Sequence, residues 1–227
     1  MKLKEFTITS ARPLPVILML DTSGSMQVGG KIDVLNKAVR EMLSDFAEED
    51  SASAEIHVAA VTFGSKAQWH LNLTPADQVL DQWDDLKAAG KTPLGGAIKL
   101  VQDALEDKET IPSRAYRPTI ILVSDGIPTD DWGDAIREFL KSDRAMKASR
   151  FSMGIGEEVD TSENSVLQQF IGDKEGARVF SAHEASQMQK FFRFVTMTVT
   201  TRTRSTNPNT IVASDPDDFD DDDYFNS

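Results

Sequence analysis

The chain has 227 residues, an apolar fraction of 40%, a net charge of −13 and no cysteine. That length suits one domain with an added segment, and the missing thiols exclude disulfides, thiolate metal sites and cysteine nucleophiles. Seven of the negative charges are aspartates within residues 215–223, which leaves the remainder at −6; acidic surface of this kind repels phosphate backbones and argues against nucleic-acid binding.

Residues 1–12 read as an N-terminal extension, too polar at its start for the apolar region of a signal peptide. No run approaches the roughly 18 apolar residues of a membrane span, so a cytoplasmic protein without membrane contact is expected. Residues 16–20 (Val-Ile-Leu-Met-Leu) form a continuous apolar run, the pattern of a strand buried on both faces. Ile32, Leu35, Val39, Met42, Leu43 and Phe46 then fall on one helical stripe. Residues 55–63 predict a second strand, 67–73 a third at a sheet edge, and 77–86 a short helix. Residues 94–105 predict a helix with Ala97, Ile98, Val101, Ala104 and Leu105 on one side. Residues 119–123 (Thr-Ile-Ile-Leu-Val) are the second central strand, with Pro118 tolerated at its start. Trp132, Ile136, Phe139 and Leu140 stripe the next helix; 151–155 is a strand, 164–171 a helix, 178–180 a short strand and 185–195 a last helix. This alternation predicts an α/β fold: a doubly wound, mostly parallel sheet with helices on both faces, spanning 13–200. Residues 201–227, rich in Ser and Thr and then in Asp, hold too little apolar surface to offset their ordering entropy and read as a disordered tail.

Chemistry concentrates where the two central strands end. Asp21-Thr22-Ser23-Gly24-Ser25 closes the first, and Ser124-Asp125-Gly126 closes the second. In a doubly wound sheet ligands bind outside the carboxyl ends of such strands. Between them in sequence, the loop Gly90-Lys91-Thr92-Pro93-Leu94-Gly95-Gly96 opens into a helix and can carry Thr92 to the same place. Asp21, Ser23, Ser25, Thr92 and Asp125 are the candidate ligands of a small hard cation, Mg²⁺ first, with Mn²⁺ or Ca²⁺ as alternatives. Read singly, each has a plainer role: Ser23 and Ser25 as caps of the helix near Lys31, Asp21 in an Asx-turn, Asp125-Gly126 as an ordinary turn. Thr129, Asp130 and Asp131 read as caps of the helix carrying Trp132, or as neighbours of the metal rim.

These residues in this order resemble the metal-ion-dependent adhesion site of von Willebrand factor A-type domains: Asp-x-Ser-x-Ser, then a distant Thr and a distant Asp. The resemblance covers about residues 14–200. It implies a cation-dependent protein-binding module, with Ser23, Ser25 and Thr92 bound directly and Asp21 and Asp125 acting through water. Neutral direct ligands leave the ion short of negative charge, so the partner is expected to supply an Asp or Glu carboxylate. The segment 124–132 is similar to that of bacterial intracellular members linked to tellurite resistance, which implies an adaptor in a stress or defence system, with a kinase or phosphatase as partner. The tail's own aspartates offer the same chemical group.

Other motifs fail. A phosphate-binding loop ending at Gly90-Lys91-Thr92 needs glycine where Asp85 stands. No Gly-x-Ser-x-Gly elbow is present, and His57, His70 and His183 show no ligand spacing. A metal-dependent hydrolase such as a phosphatase is the alternative from another class, disfavoured because no nucleophile–base pair accompanies the motif. A structural subunit that binds no metal is the other alternative.

Overall fold

A computed structural model describes residues 11–49, 51, 53–156, 162, 165–172 and 179–210. Six strands form one sheet: β1 (Arg12–Asp21), β2 (Ala54–Phe63), β3 (Ala67–Pro75), β4 (Thr119–Ser124), β5 (Ser149–Ile155) and β6 (Val179–Ala182). Their order is β3-β2-β1-β4-β5-β6, parallel throughout except for β3, which runs antiparallel to β2 at the edge. β1 is buried over nine of its ten residues and β4 over all six, as their unbroken apolar runs require.

Helices cover both faces. α1 (Lys31–Glu48) and α7 (Ala185–Arg204) pack with Leu14, Val16, Leu18 and Leu20 of β1, while α3 (Leu94–Glu106), α4 (Trp132–Lys141) and α6 (Val166–Ile171) pack with Ile17 and Met19. Alternate β1 side chains thus serve two separate cores, the period-2 consequence of a central strand. The expected fold class is the observed one.

Three local expectations need correction. First, the helix expected over 77–86 exists only as α2 (Ala76–Val79). Trp83 and Leu86 are buried, but the backbone at Leu86 is held by a side chain instead. The buried Asn36 of α1 accepts the Leu86 N–H at 2.8 Å and donates to its carbonyl at 3.0 Å, which removes the need for a helical partner. Second, a five-residue helix, α5 (Asp143–Lys147), follows α4 after Ser142, whose hydroxyl accepts the Ala145 N–H at 3.2 Å; charged and short, it shows no stripe.

Third, ordered structure continues beyond residue 200. α7 runs to Arg204, nine residues past the expected end, because Arg202 and Thr203 are buried. The Arg202 guanidinium donates to the Pro208 carbonyl at 2.7 Å, to Thr119 Oγ1 at 2.5 Å and to the Arg117 carbonyl at 2.6 Å. Composition could not reveal this, since an arginine reads as solvent-facing until its acceptors are known. The N-terminal residues 1–10 and the acidic stretch 211–227 lie outside the described residues.

Candidate metal centre

The strand order reverses between β1 and β4, and Asp21 and Ser124 are the last residues of those two strands. The crevice that such a reversal leaves at the carboxyl ends is where all five candidate residues converge. Asp21 is fully buried. Its Oδ1 accepts the Ser23 N–H at 2.8 Å, which is the Asx-turn, and its Oδ2 accepts the Ser124 hydroxyl at 2.5 Å. The Ser23 and Ser25 hydroxyls stand 2.9 Å apart, and Ser25 donates to Asp125 Oδ1 at 2.7 Å. Neither serine caps α1, whose N-cap is Gly30. Ser25 lies instead in a 3₁₀ segment, Gly24–Gly30, which is broken at Val28 and Gly29 before α1 begins.

Thr92 arrives on the loop before α3. Its N–H donates to Thr129 Oγ1 at 3.1 Å, and its carbonyl accepts the N–H of Thr129 at 2.9 Å and of Leu94 at 2.9 Å. A Cβ placed on Gly126 would stand 3.5 Å from Thr92 Oγ1 and 3.8 Å from Ser25 Oγ, so both hydroxyls border the space a side chain there would fill. Two glycines allow the loop's approach. At Gly64 a Cβ would meet the Thr22 carbonyl at 2.4 Å and the Ala89 carbonyl at 2.6 Å; Gly90 has φ +84° and leaves only 2.6 Å to Ser65. Without side chains there, Ala89 N–H reaches the Thr22 carbonyl at 2.7 Å and Gly24 N–H reaches the Gly90 carbonyl at 3.0 Å. Neither glycine's role is visible in sequence, because each serves a contact across the fold.

Asp130 also differs from expectation. It does not cap α4, whose N-cap is Asp131 with no side-chain bond. Its two carboxylate oxygens instead accept the Gly95 and Gly96 N–H groups, each at 2.9 Å, and so cap α3 from a different segment. That bond ties the Asp125–Asp131 loop to the helix that follows Thr92. Two residues that were not candidate ligands also enter the cluster: Ser124, on Asp21, and Lys31, whose ammonium lies 2.7 Å from Asp125 Oδ2.

Burial pushes the Asp21 carboxyl above the ordinary carboxylate range; hydrogen bonds from Ser124 and Ser23 oppose the rise and the charge of Asp125 adds to it. The five candidate ligands offer oxygen atoms alone, two carboxylates and three hydroxyls, a set suited to Mg²⁺ or Mn²⁺ and poorly suited to soft metals. Among the described residues no three Asp, Glu, His or Cys side chains gather as a conventional anionic cage. The donor set therefore fits a hard cation that retains water or takes a ligand from outside.

Residues 16–127 match a family profile described as von Willebrand factor type A domain. No curated protein matches the chain significantly. Among solved structures, proximal thread matrix protein 1 from the mussel byssus, in a form with a zinc-occupied MIDAS motif, is 16% identical, covers 82% of this chain and 45% of that one, and superposes with a TM-score of 0.60. A von Willebrand factor type A protein from Catenulispora acidiphila is 20% identical over 83% of this chain and 42% of its own, with a TM-score of 0.59. Manganese-loaded Plasmodium vivax TRAP protein is 19% identical over 80% and 73%, with a TM-score of 0.55. The chain spans less than half the length of the mussel and Catenulispora chains. At these identities the likeness is one of fold. Among the described residues no helix is long and apolar enough to cross a membrane.

Proposed function

We propose that this chain is a von Willebrand factor A-type module that holds a divalent cation on Asp21, Ser23, Ser25, Thr92 and Asp125 and through it binds a carboxylate of a protein partner. The observation that carries this reading is the donor set itself: five oxygen-bearing side chains from three segments converge at the reversal in strand order, and only two of them are acids. Mg²⁺ is the expected occupant, with Mn²⁺ or Ca²⁺ as alternatives; zinc and manganese in the related structures support a divalent ion. When bound, the cation would supply a Lewis-acidic point able to attract a carboxylate. The chain's own residues do the rest. Asp21 and Ser124 anchor the Asp-x-Ser-x-Ser turn, Asp125 orients the Ser25 hydroxyl by accepting its hydrogen bond, and the Thr92–Thr129 pairing sets the loop.

The setting we favour is an adaptor in a bacterial stress or defence system, cytoplasmic, with a kinase or phosphatase among its partners; the segment 124–132 supports it. A binding module is favoured over a hydrolase because the hydrogen bonds of the cluster join carboxylates, hydroxyls and one ammonium, and no histidine takes part in them. Calorimetric titration with Mg²⁺ and Mn²⁺ tests the site: saturable binding to the wild type, abolished in Asp21→Ala, is expected. Affinity capture with and without Mg²⁺ then tests the function. A partner retained equally by wild type and Asp21→Ala would overturn the carboxylate-docking reading.

A further inference from the structure

Lys31 is out of place by the rules of its own helix. It is the first residue of α1, an eighteen-residue helix whose N-cap, Gly30, makes no side-chain bond. A cation there opposes the helix macrodipole, and acids are the residues favoured in a first turn. The side chain is drawn across the strand ends instead. Its ammonium lies 2.7 Å from Asp125 Oδ2, and Asp125's side chain is 0% exposed against 25% for Lys31. Gly156, just past β5 with φ +108°, lies beside it: a Cβ there would stand 3.5 Å from Lys31 Nζ, an ordinary contact distance. Both Asp125 oxygens are thereby engaged, Ser25 on one and Lys31 on the other, and each keeps a free lone pair.

The charge count follows. Asp21 and Asp125 bring two negative charges to the cluster and Lys31 returns one positive charge. The next acid along the loop, Asp130, is occupied by the amides of α3. A divalent ion on the two aspartates alone would be neutralised. With Lys31 present, the loaded site retains one positive charge.

We infer that Lys31 is a specificity-determining residue that keeps the loaded site cationic, so that it weakens metal affinity and strengthens capture of a partner carboxylate. This rests on the metal reading proposed above and adds to it which residue makes the site a carboxylate receptor. A lysine that merely braces Asp125 would do neither: its loss would loosen Asp125 and weaken both steps.

The test uses the full chain as wild type, Lys31→Met and Lys31→Arg, with circular dichroism to confirm folding. Mn²⁺ alone is titrated calorimetrically; acetate is then titrated into the Mn²⁺-loaded proteins, followed by water-proton relaxation. Removing a unit charge a few ångströms from a divalent ion is expected to tighten Mn²⁺ binding in Lys31→Met by about tenfold or more. Acetate affinity should fall in the same variant by roughly fivefold or more, with Lys31→Arg near the wild type on both. A folded Lys31→Met that binds Mn²⁺ no more tightly, or acetate no more weakly, than the wild type overturns the role of Lys31 and leaves the metal site standing. A wild type that binds neither Mn²⁺ nor Mg²⁺ overturns the metal reading, and this one with it.

Discussion

In the proposed metal site, Asp21 sets function against stability. It is fully buried, and burial raises its pKa above the ordinary 3.8. The folded protein therefore holds this proton more tightly than the unfolded chain does. The corresponding stability is fully present below about pH 3.8 and is lost as pH rises through the raised value. At pH 7, without a cation, the buried charge is a net cost. Asp21→Asn is expected to match the metal-free wild type in thermal unfolding at pH 7 or exceed it by about 1 kcal/mol, since the amide keeps an acceptor for Ser23 and sheds the charge. The same variant should lose the rise in melting temperature that Mg²⁺ confers on the wild type. In the wild type that rise should shrink as pH falls toward the raised pKa, because protons compete with the cation. Thermal melts with Mg²⁺ or chelator across pH 5 to 8 check all three outcomes; a metal-free Asp21→Asn that is far less stable would show that the ionised form is needed for folding.

At the scale of elements, the site depends on two loops that hold each other. Thr92 is positioned by its backbone bonds to the Thr129 amide and hydroxyl, and α3 is capped by Asp130 from that same loop. Asp130→Ala should cost about 1 kcal/mol in stability, the usual loss of a helix cap. It should also weaken Mg²⁺ binding several-fold by loosening the path to Thr92, although Asp130 is not among the proposed ligands. Chemical denaturation and calorimetry on one preparation separate the two effects. Unchanged metal affinity beside the stability loss would mean that the Thr92 loop is held without Asp130. The stripes of α1, α3 and α4 and the apolar runs of β1 and β4 were legible in sequence, because each element's burial follows its own period. The failed helix at 77–86 was not, because Asn36, some fifty positions away, supplies the backbone partners of Leu86.

At the scale of the whole molecule, Arg202 joins parts that sequence reading kept apart. Its guanidinium ties α7 to the start of β4 and to residue 208, at the pole of the sheet opposite the hydroxyl cluster. Burial, with the nearby charge of Arg117, lowers its pKa to about 10, so it remains charged at neutral pH. Arg202→Ala leaves two carbonyls and a threonine hydroxyl without their donors and opens a cavity; a loss of about 3–5 kcal/mol is expected in urea unfolding. Lysine should rescue little, because an ammonium cannot repeat the planar fork. A loss below about 1 kcal/mol would mean that residues 205–210 contribute little to the fold. The ordered domain thus includes residues that composition assigns to a tail.

What the sequence determined by itself was periodic or local: strand and helix type, two central strands, and a short motif whose oxygens fit a hard cation. From these the class of fold follows, and with it the place where a site should lie, since strand ends at a reversal in order are fixed by topology. Only the tertiary structure decided which other side chains enter that place. Gly64 and Gly90 admit the Thr92 loop, Asp130 turns from its own helix to another, and Lys31 leaves its helix to neutralise Asp125. Each acts on atoms distant in sequence, and contacts of that kind leave no period along the chain to read.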